Sequence, residues 1–136
     1  RIIDARSYFT ISGSPVLEAL AAHAVTNRTA ILDRLRTVAV ANLAALSSFM
    51  DRVPDTLAWV RPEGGTVAFP RFRDGRDSRP FCEALAKAGV LVAPGDCFGQ
   101  PAHMRVGFAA QAEGFDAALA IFDRTLRNRP WPTPGL

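Results

Sequence analysis

Arg105 is the residue with the clearest chemical potential. It sits in the run HMRVGF, residues 103–108, where Met104, Val106 and Phe108 alternate with Arg105 and Gly107. That two-residue period is the signature of a half-buried strand. With Met104 and Val106 turned to a core, Arg105 points to the opposite face. It is then either an exposed strand arginine in a surface ion pair or a clamp for a carboxylate, whose two oxygens match the guanidinium fork. Just upstream lies Pro94-Gly95-Asp96-Cys97-Phe98-Gly99. Gly95 and Gly99 permit close backbone approach, and Phe98 offers an apolar wall. A loop of this composition between two core strands leans toward a binding edge rather than a plain connection. Pro62-Glu63-Gly64-Gly65 reads as a hairpin turn or as a second edge of that kind.

Other reactive side chains are few. Cys82 and Cys97 are too few for a disulfide framework and form no zinc pattern with His23 and His103. A reduced, cytoplasmic setting without a metal is expected. Cys97 has no base or cation beside it in the sequence, so no nucleophilic role is assigned to it. His23, after Ala21 and Ala22, reads as a helix-surface or packed residue. His103 precedes the arginine strand and could touch the site, with a solvent-facing strand start as the default expectation. Trp59 reads as a core or interface aromatic. Lys87 is the only lysine, against 15 arginines among the 16 basic residues. It lies near a helix end, where an ammonium favours the dipole and water.

These groups need a scaffold. Ser14-Pro15 starts a short helix over 16–25. A longer one over 29–50 carries Ile31, Leu35, Val38, Asn42, Leu46 and Phe49 as one stripe, widened by Leu32, Ala39, Leu43 and Met50. Val53-Pro54-Asp55 breaks it. Residues 57–61 (LAWVR) and 66–70 (TVAFP) read as strands that can pair as a hairpin. Residues 71–79 are polar and read as flexible. Ser78 is predicted to cap a helix over 79–88 with Phe81, Cys82, Leu85 and Ala86 inward, ended by Gly89. Residues 90–93 (VLVA) read as an apolar strand. A last helix over 113–128 turns Phe115, Ala118, Leu119, Phe122 and Leu126 inward. The tail, 129–136, carries three prolines and should be irregular. The expected fold is α/β, an α+β sandwich: a small mixed sheet covered by helices and preceded by a long helix.

The bulk properties narrow the functional classes. The 136 residues fit one domain, with 49% hydrophobic and 21% charged residues, as in a soluble globular protein. No apolar run approaches the roughly 18 residues that span a bilayer, and no secretory signal is visible. Net charge is +3, but 16 basic residues are interspersed with 13 acidic ones and no basic block exists. A nucleic-acid partner is not expected, nor a membrane. The chain opens on Arg1-Ile2-Ile3 rather than methionine, as expected of a segment cut from something longer.

In order, the chain reads RPEGGTVAFPR, FCEALAKAGVLVAPGDCFG, HMRVGFA and a final helix. This ordered set resembles the C-terminal small domain of class I/II aminotransferases, the fold-type-I family of pyridoxal-phosphate enzymes. The resemblance covers roughly residues 57–128, and the preceding long helix fits the segment linking that family's two domains. It implies that Arg105 binds the substrate α-carboxylate. Gly64 and Gly65 would form the turn whose backbone approaches the site, and Phe98 and Gly99 the loop that closes over it. Arg6 would sit where some members carry an arginine reaching the partner subunit's site. The family's lysine, which bonds covalently to the cofactor, lies upstream of this pattern, and Lys87 does not match it. The implied arrangement is residues 1–28 continuing from a missing large domain, 29–128 as the small domain, and 129–136 as a tail. Pyridoxal phosphate would be bound mainly by the large domain of a homodimeric parent enzyme acting on an amino acid or oxo acid, and no activity is expected of the fragment alone. The competing reading is a stand-alone small-molecule-binding or interaction module of α/β fold.

Overall fold

A computed structural model describes residues 14–110 and 113–128. The chain divides into two compact units between Arg34 and Leu35. In the first, helix α1 (Pro15–Thr26) opens on Pro15, where a missing N–H costs nothing. Asn27 interrupts the helical path: its backbone and side-chain nitrogens both donate to the His23 carbonyl, at 3.0 and 2.9 Å. Helix α2 (Arg28–Met50) follows directly. Residues 14–34 are exposed throughout. His23 is therefore a surface residue, beside the Asn27 side chain.

In the second unit, α2 buries Asn42, Leu46, Phe49 and Met50. The predicted apolar stripe is present, but Ile31 and Leu35 on the same face remain 53% and 41% exposed. Periodicity marks which face is apolar, not how much of it finds a cover.

Five short strands follow: β1 (Leu57–Ala58), β2 (Val67–Ala68), β3 (Arg71–Phe72), β4 (Ala93–Pro94) and β5 (Met104–Gly107). Every ladder among the described residues is antiparallel. β1 pairs with β3, matching Leu57 to Phe72. The other sheet has the order β2-β5-β4, so β5 is its central strand. Helices α3 (Arg79–Lys87) and α4 (Phe115–Asn128) pack against each other and complete the core. Its centre is aromatic. Phe81, fully buried, meets Phe72 at 5.5 Å and Phe122 at 4.9 Å, and Phe122 meets Phe49 at 5.3 Å. All three contacts are edge-to-face, the favoured geometry of ring quadrupoles.

Several local expectations need correction. The runs 57–61 and 66–70 form no hairpin, since β1 pairs with β3 and β2 with β5. Pro62 cannot donate to a ladder, and pairing across the turn would leave Phe72 without its buried partner Leu57. The polar stretch 71–79 is not merely a flexible connection. It carries β3 and Phe72, which is 1% exposed, because one large ring outweighs its hydrophilic neighbours once a core is available. Ser78 makes no side-chain cap on α3; Asp77 Oδ1 accepts the Arg79 N–H instead, at 2.8 Å. Ala86 is exposed, while Phe81, Cys82 and Leu85 are buried as predicted. The strand expected over 90–93 is reduced to Ala93–Pro94, and Leu91 is 87% exposed. The alternation in β5 and the inward face of α4 match the sequence reading. Gly89 ends α3 with φ 92°, a conformation most side chains avoid. The predicted tail lies outside the described residues.

Phe81→Ala should cost about 3–5 kcal/mol, the range for emptying a ring-sized core site. Denaturant titration of the protein carrying this chain should show a lower midpoint with little change in slope.

Candidate functional site

β5 gives Arg105 its direction. Met104 and Val106 are buried and Arg105 and Gly107 exposed. On one side Arg105 is paired with Ala93 of β4. On the other, the ladder matches Val67 to Gly107 and Ala68 to Val106. One further step in that register sets Phe69 opposite Arg105. The outward sheet face therefore carries Val67, Phe69, Arg105 and Gly107, with His103 two residues before Arg105 on the same side.

A short 3₁₀ turn, Gly95–Phe98, brings Phe98 onto this face. The Arg105 Cζ lies 5.0 Å from the centroid of the Phe98 ring, within cation–π range. Phe98 meets Phe69 edge-to-face at 5.8 Å. Phe69 stacks on His103 at 4.7 Å, the ring planes 20° apart. His103 thus does not simply face solvent. It is half-buried because the Phe69 ring covers it, and its Nδ1 has no hydrogen-bond partner among the described residues.

Arg105 pairs with no carboxylate among the described residues. The ion pairs there join Arg76 to Asp74, Arg79 to Asp96, and Arg127 to Asp123. The Arg76 guanidinium holds the Asp74 carboxyl below its ordinary value. The guanidinium of Arg105 is left with its donors available on a rigid strand, beside an apolar wall. Such a site suits a planar anion that accepts two hydrogen bonds.

The turn under Phe98 is built by close approach. A Cβ at Gly95 would lie 2.0 Å from the Gln100 carbonyl oxygen and 2.3 Å from that of His103, so glycine is required there. The buried Ser78 Oγ accepts the Gly95 N–H at 3.2 Å. Gln100 N–H donates back to the Gly95 carbonyl at 2.9 Å. Asp96 bridges outward: one oxygen takes the Arg79 Nε–H at 2.7 Å and the other the Cys97 N–H at 3.0 Å. Gly99 then leaves the turn with φ 68°.

Of the residues singled out from sequence, Phe98 meets Arg105, and Gly99 follows at the turn's exit. Gly64 and Gly65 are exposed and lie beyond the other end of β2, four and five residues from the position opposite Arg105, roughly 14–17 Å at about 3.4 Å per residue. Arg6 lies outside the described residues. Phe69 and Ser78 were not singled out as site residues. Phe69 follows only from the β2–β5 register, and Ser78 looked like an ordinary helix cap. Lys87 is exposed in the last turn of α3, on a different element from the Arg105 cluster. No group of three or more His, Cys, Asp or Glu residues suits a metal among the described residues. On the opposite side of β5, a cleft of about 360 Å³ between residues 89–92 and α4 is lined by apolar side chains and glycine, with no titratable side chain among its lining residues. No helix among the described residues is long and apolar enough to cross a membrane.

No protein-family model matches the chain. It is 35% identical over 126 residues to capreomycidine synthase of Streptomyces vinaceus, an alignment covering 92% of this chain and 32% of that protein. Its structure is similar to that of a pyridoxal-phosphate-dependent cyclase, OrfR, with TM-score 0.81 and 33% identity, over 93% of this chain and 35% of the other. It is also similar to a pyridoxal-phosphate-dependent aminotransferase from Streptococcus suis, with TM-score 0.79 and 27% identity, over 96% and 35%. The chain spans about a third of the length of each of these relatives. It has the fold of the C-terminal small domain of fold-type-I, pyridoxal-phosphate-dependent aminotransferases, the family its ordered motifs resemble.

The two cysteines differ sharply in setting. Cys82 is 4% exposed, and burial pushes its thiol up to about 11. Cys97 is exposed, with the Arg79 guanidinium 3.8 Å from its sulfur. Because the thiolate is the reactive form, iodoacetamide at pH 8 should label native Cys97 about 100-fold faster than Cys82. Mass mapping of the two peptides checks this, and comparable labelling would mean that the α3 face opens readily.

Proposed function

We propose that this chain, with the small-domain fold of the pyridoxal-phosphate aminotransferases, is the C-terminal part of a larger enzyme of that kind and holds the α-carboxylate of its substrate through Arg105. The observation that carries the reading is the guanidinium itself. It is fixed on a central strand, faces outward, has no acidic partner among the described residues, and lies against Phe98. The substrate class is an amino acid or oxo acid.

Pyridoxal phosphate, which would be held mainly outside this chain, would supply an electron sink at the substrate α-carbon. Arg105 would take the two carboxylate oxygens in parallel hydrogen bonds and so fix the orientation of the α-carbon. Phe98 would wall off water on one side, which strengthens that charge pairing by lowering the local dielectric. Gly64 and Gly65 would let the backbone of their turn come close to the bound molecule, and Gly99 would shape the loop that closes over it. Lys87, exposed at a helix end, has no part in this. Residues 29–128 form the small domain in this reading, with 1–28 continuing from the large domain. The parent would work as a cytoplasmic homodimer, without nucleic acid or membrane.

A second reading has specific support. Over more than nine-tenths of the chain, the synthase and the cyclase match at 35% and 33% identity and the Streptococcus suis aminotransferase at 27%. Ring-forming chemistry on the same scaffold, with Arg105 in the same role, is therefore the alternative outcome for the parent enzyme.

In the full-length protein, Arg105→Ala should lower kcat/KM for the amino acid about 100-fold, in line with roughly 2–5 kcal/mol for truncating one partner of a close charge pair. Cofactor retention, read from its visible absorbance, should stay near normal. Equal activity with and without the guanidinium would sink the clamp. A separate check adds pyridoxal phosphate, reduces with borohydride and maps the labelled peptide. The label is expected on a lysine outside this chain. A label on Lys87 would overturn the division of labour, and no label at all would favour a non-catalytic binding module.

A further inference from the structure

Phe98 does more than line a wall. Its ring is the only aromatic face within cation–π reach of Arg105 among the described residues. The ring also meets Phe69, the cross-strand neighbour of Arg105, edge-to-face at 5.8 Å and 89°, and His103 backs Phe69 at 4.7 Å. Phe98 ends a turn whose every preceding residue is tied down. Gly95 is pinned to Ser78 Oγ and to Gln100, and it is pressed so close to the 100–103 backbone that no side chain fits. Asp96 is clamped by Arg79, and the Gly99 N–H donates to the Asp96 carbonyl at 3.1 Å. The Phe98 backbone is thus tied in place, and its ring, 45% exposed, lies against Arg105 and Phe69. An arginine side chain, by contrast, has many rotamers, and one on an exposed strand face would sample them.

We propose that Phe98 is a positioning residue for Arg105: held by the Gly95 turn and braced by Phe69 and His103, its ring restricts the guanidinium to one orientation, with its donors set for a carboxylate. This rests on the clamp reading of Arg105 and adds to it a cause of preorganisation. A flexible arginine must lose its rotamer freedom when substrate binds, whereas one already held by a ring does not. The contact leaves the N–H donors unused, because the ring engages the cation through its face.

The test is a double-mutant cycle in the full-length holoenzyme, with Phe98→Ala, Arg105→Ala and the pair, reading KM and kcat for the amino acid. Phe98→Ala alone should raise KM about 10-fold while kcat changes less than about 3-fold. In the Arg105→Ala background the same change should shift KM less than about 2-fold, because the residue it positions is gone. Phe98→Tyr, which keeps the ring face, should return KM close to normal. If Phe98→Ala proves unstable, Phe98→Leu keeps the bulk without the ring and should show the raised KM. An equal KM shift in both backgrounds, or a leucine variant with normal KM, would overturn the positioning role and leave the clamp standing. An Arg105→Ala enzyme of normal activity would instead remove the clamp, and the positioning role with it.

Discussion

The alternation of β5 is the constraint on which the rest depends. Met104 is fully buried and Val106 7% exposed, while Arg105 between them is exposed. A slip of one residue would drive the guanidinium into a core of phenylalanines and expose two core side chains. An unpaired charge cannot be buried at acceptable cost, so the register is fixed from both faces at once. Because β5 is the central strand, its register also fixes which residues of β2 and β4 stand beside Arg105. The site is in this sense a by-product of how the core closes.

The second support is a turn that only glycine permits. Gly95 lets the chain fold back against residues 100–103 closely enough for the Ser78 hydroxyl and the Gln100 amide to hold it. That hydroxyl is removed from the role its position suggests, and Asp77 takes over the start of α3. Helix, turn and strand are tied at one point, and Phe98 emerges from it over Arg105. The aromatic contacts on the two sides of the sheet serve different ends. The Phe49–Phe122–Phe81–Phe72 series fills the core, whereas Phe98, Phe69 and His103 form a wall around a cation.

Similarity over about a third of each relative's length leaves room for the proposed division of labour, in which this part would orient and shield while another part would hold the cofactor. Nothing in the Arg105 cluster resembles a cofactor-bonding lysine. The groups present would suit a planar anion, a binding chemistry that transamination and ring formation could share.

Sequence by itself determined the elements whose pattern is periodic and local. The β5 alternation, the inward face of α4, the stop of α3 at Gly89 and the candidacy of Arg105 and Phe98 were all legible, because side-chain direction follows from backbone geometry a few residues at a time. The ordered motifs also carried the family resemblance. Only the tertiary structure decided the pairings. That β1 joins β3 rather than β2, that Phe72 is core within a polar stretch, that Ser78 serves Gly95 instead of its own helix, and that Phe69 and His103 complete the wall are outcomes of long-range burial. They depend on which distant groups compete for the same buried place, and nearest-neighbour patterns hold no record of that competition.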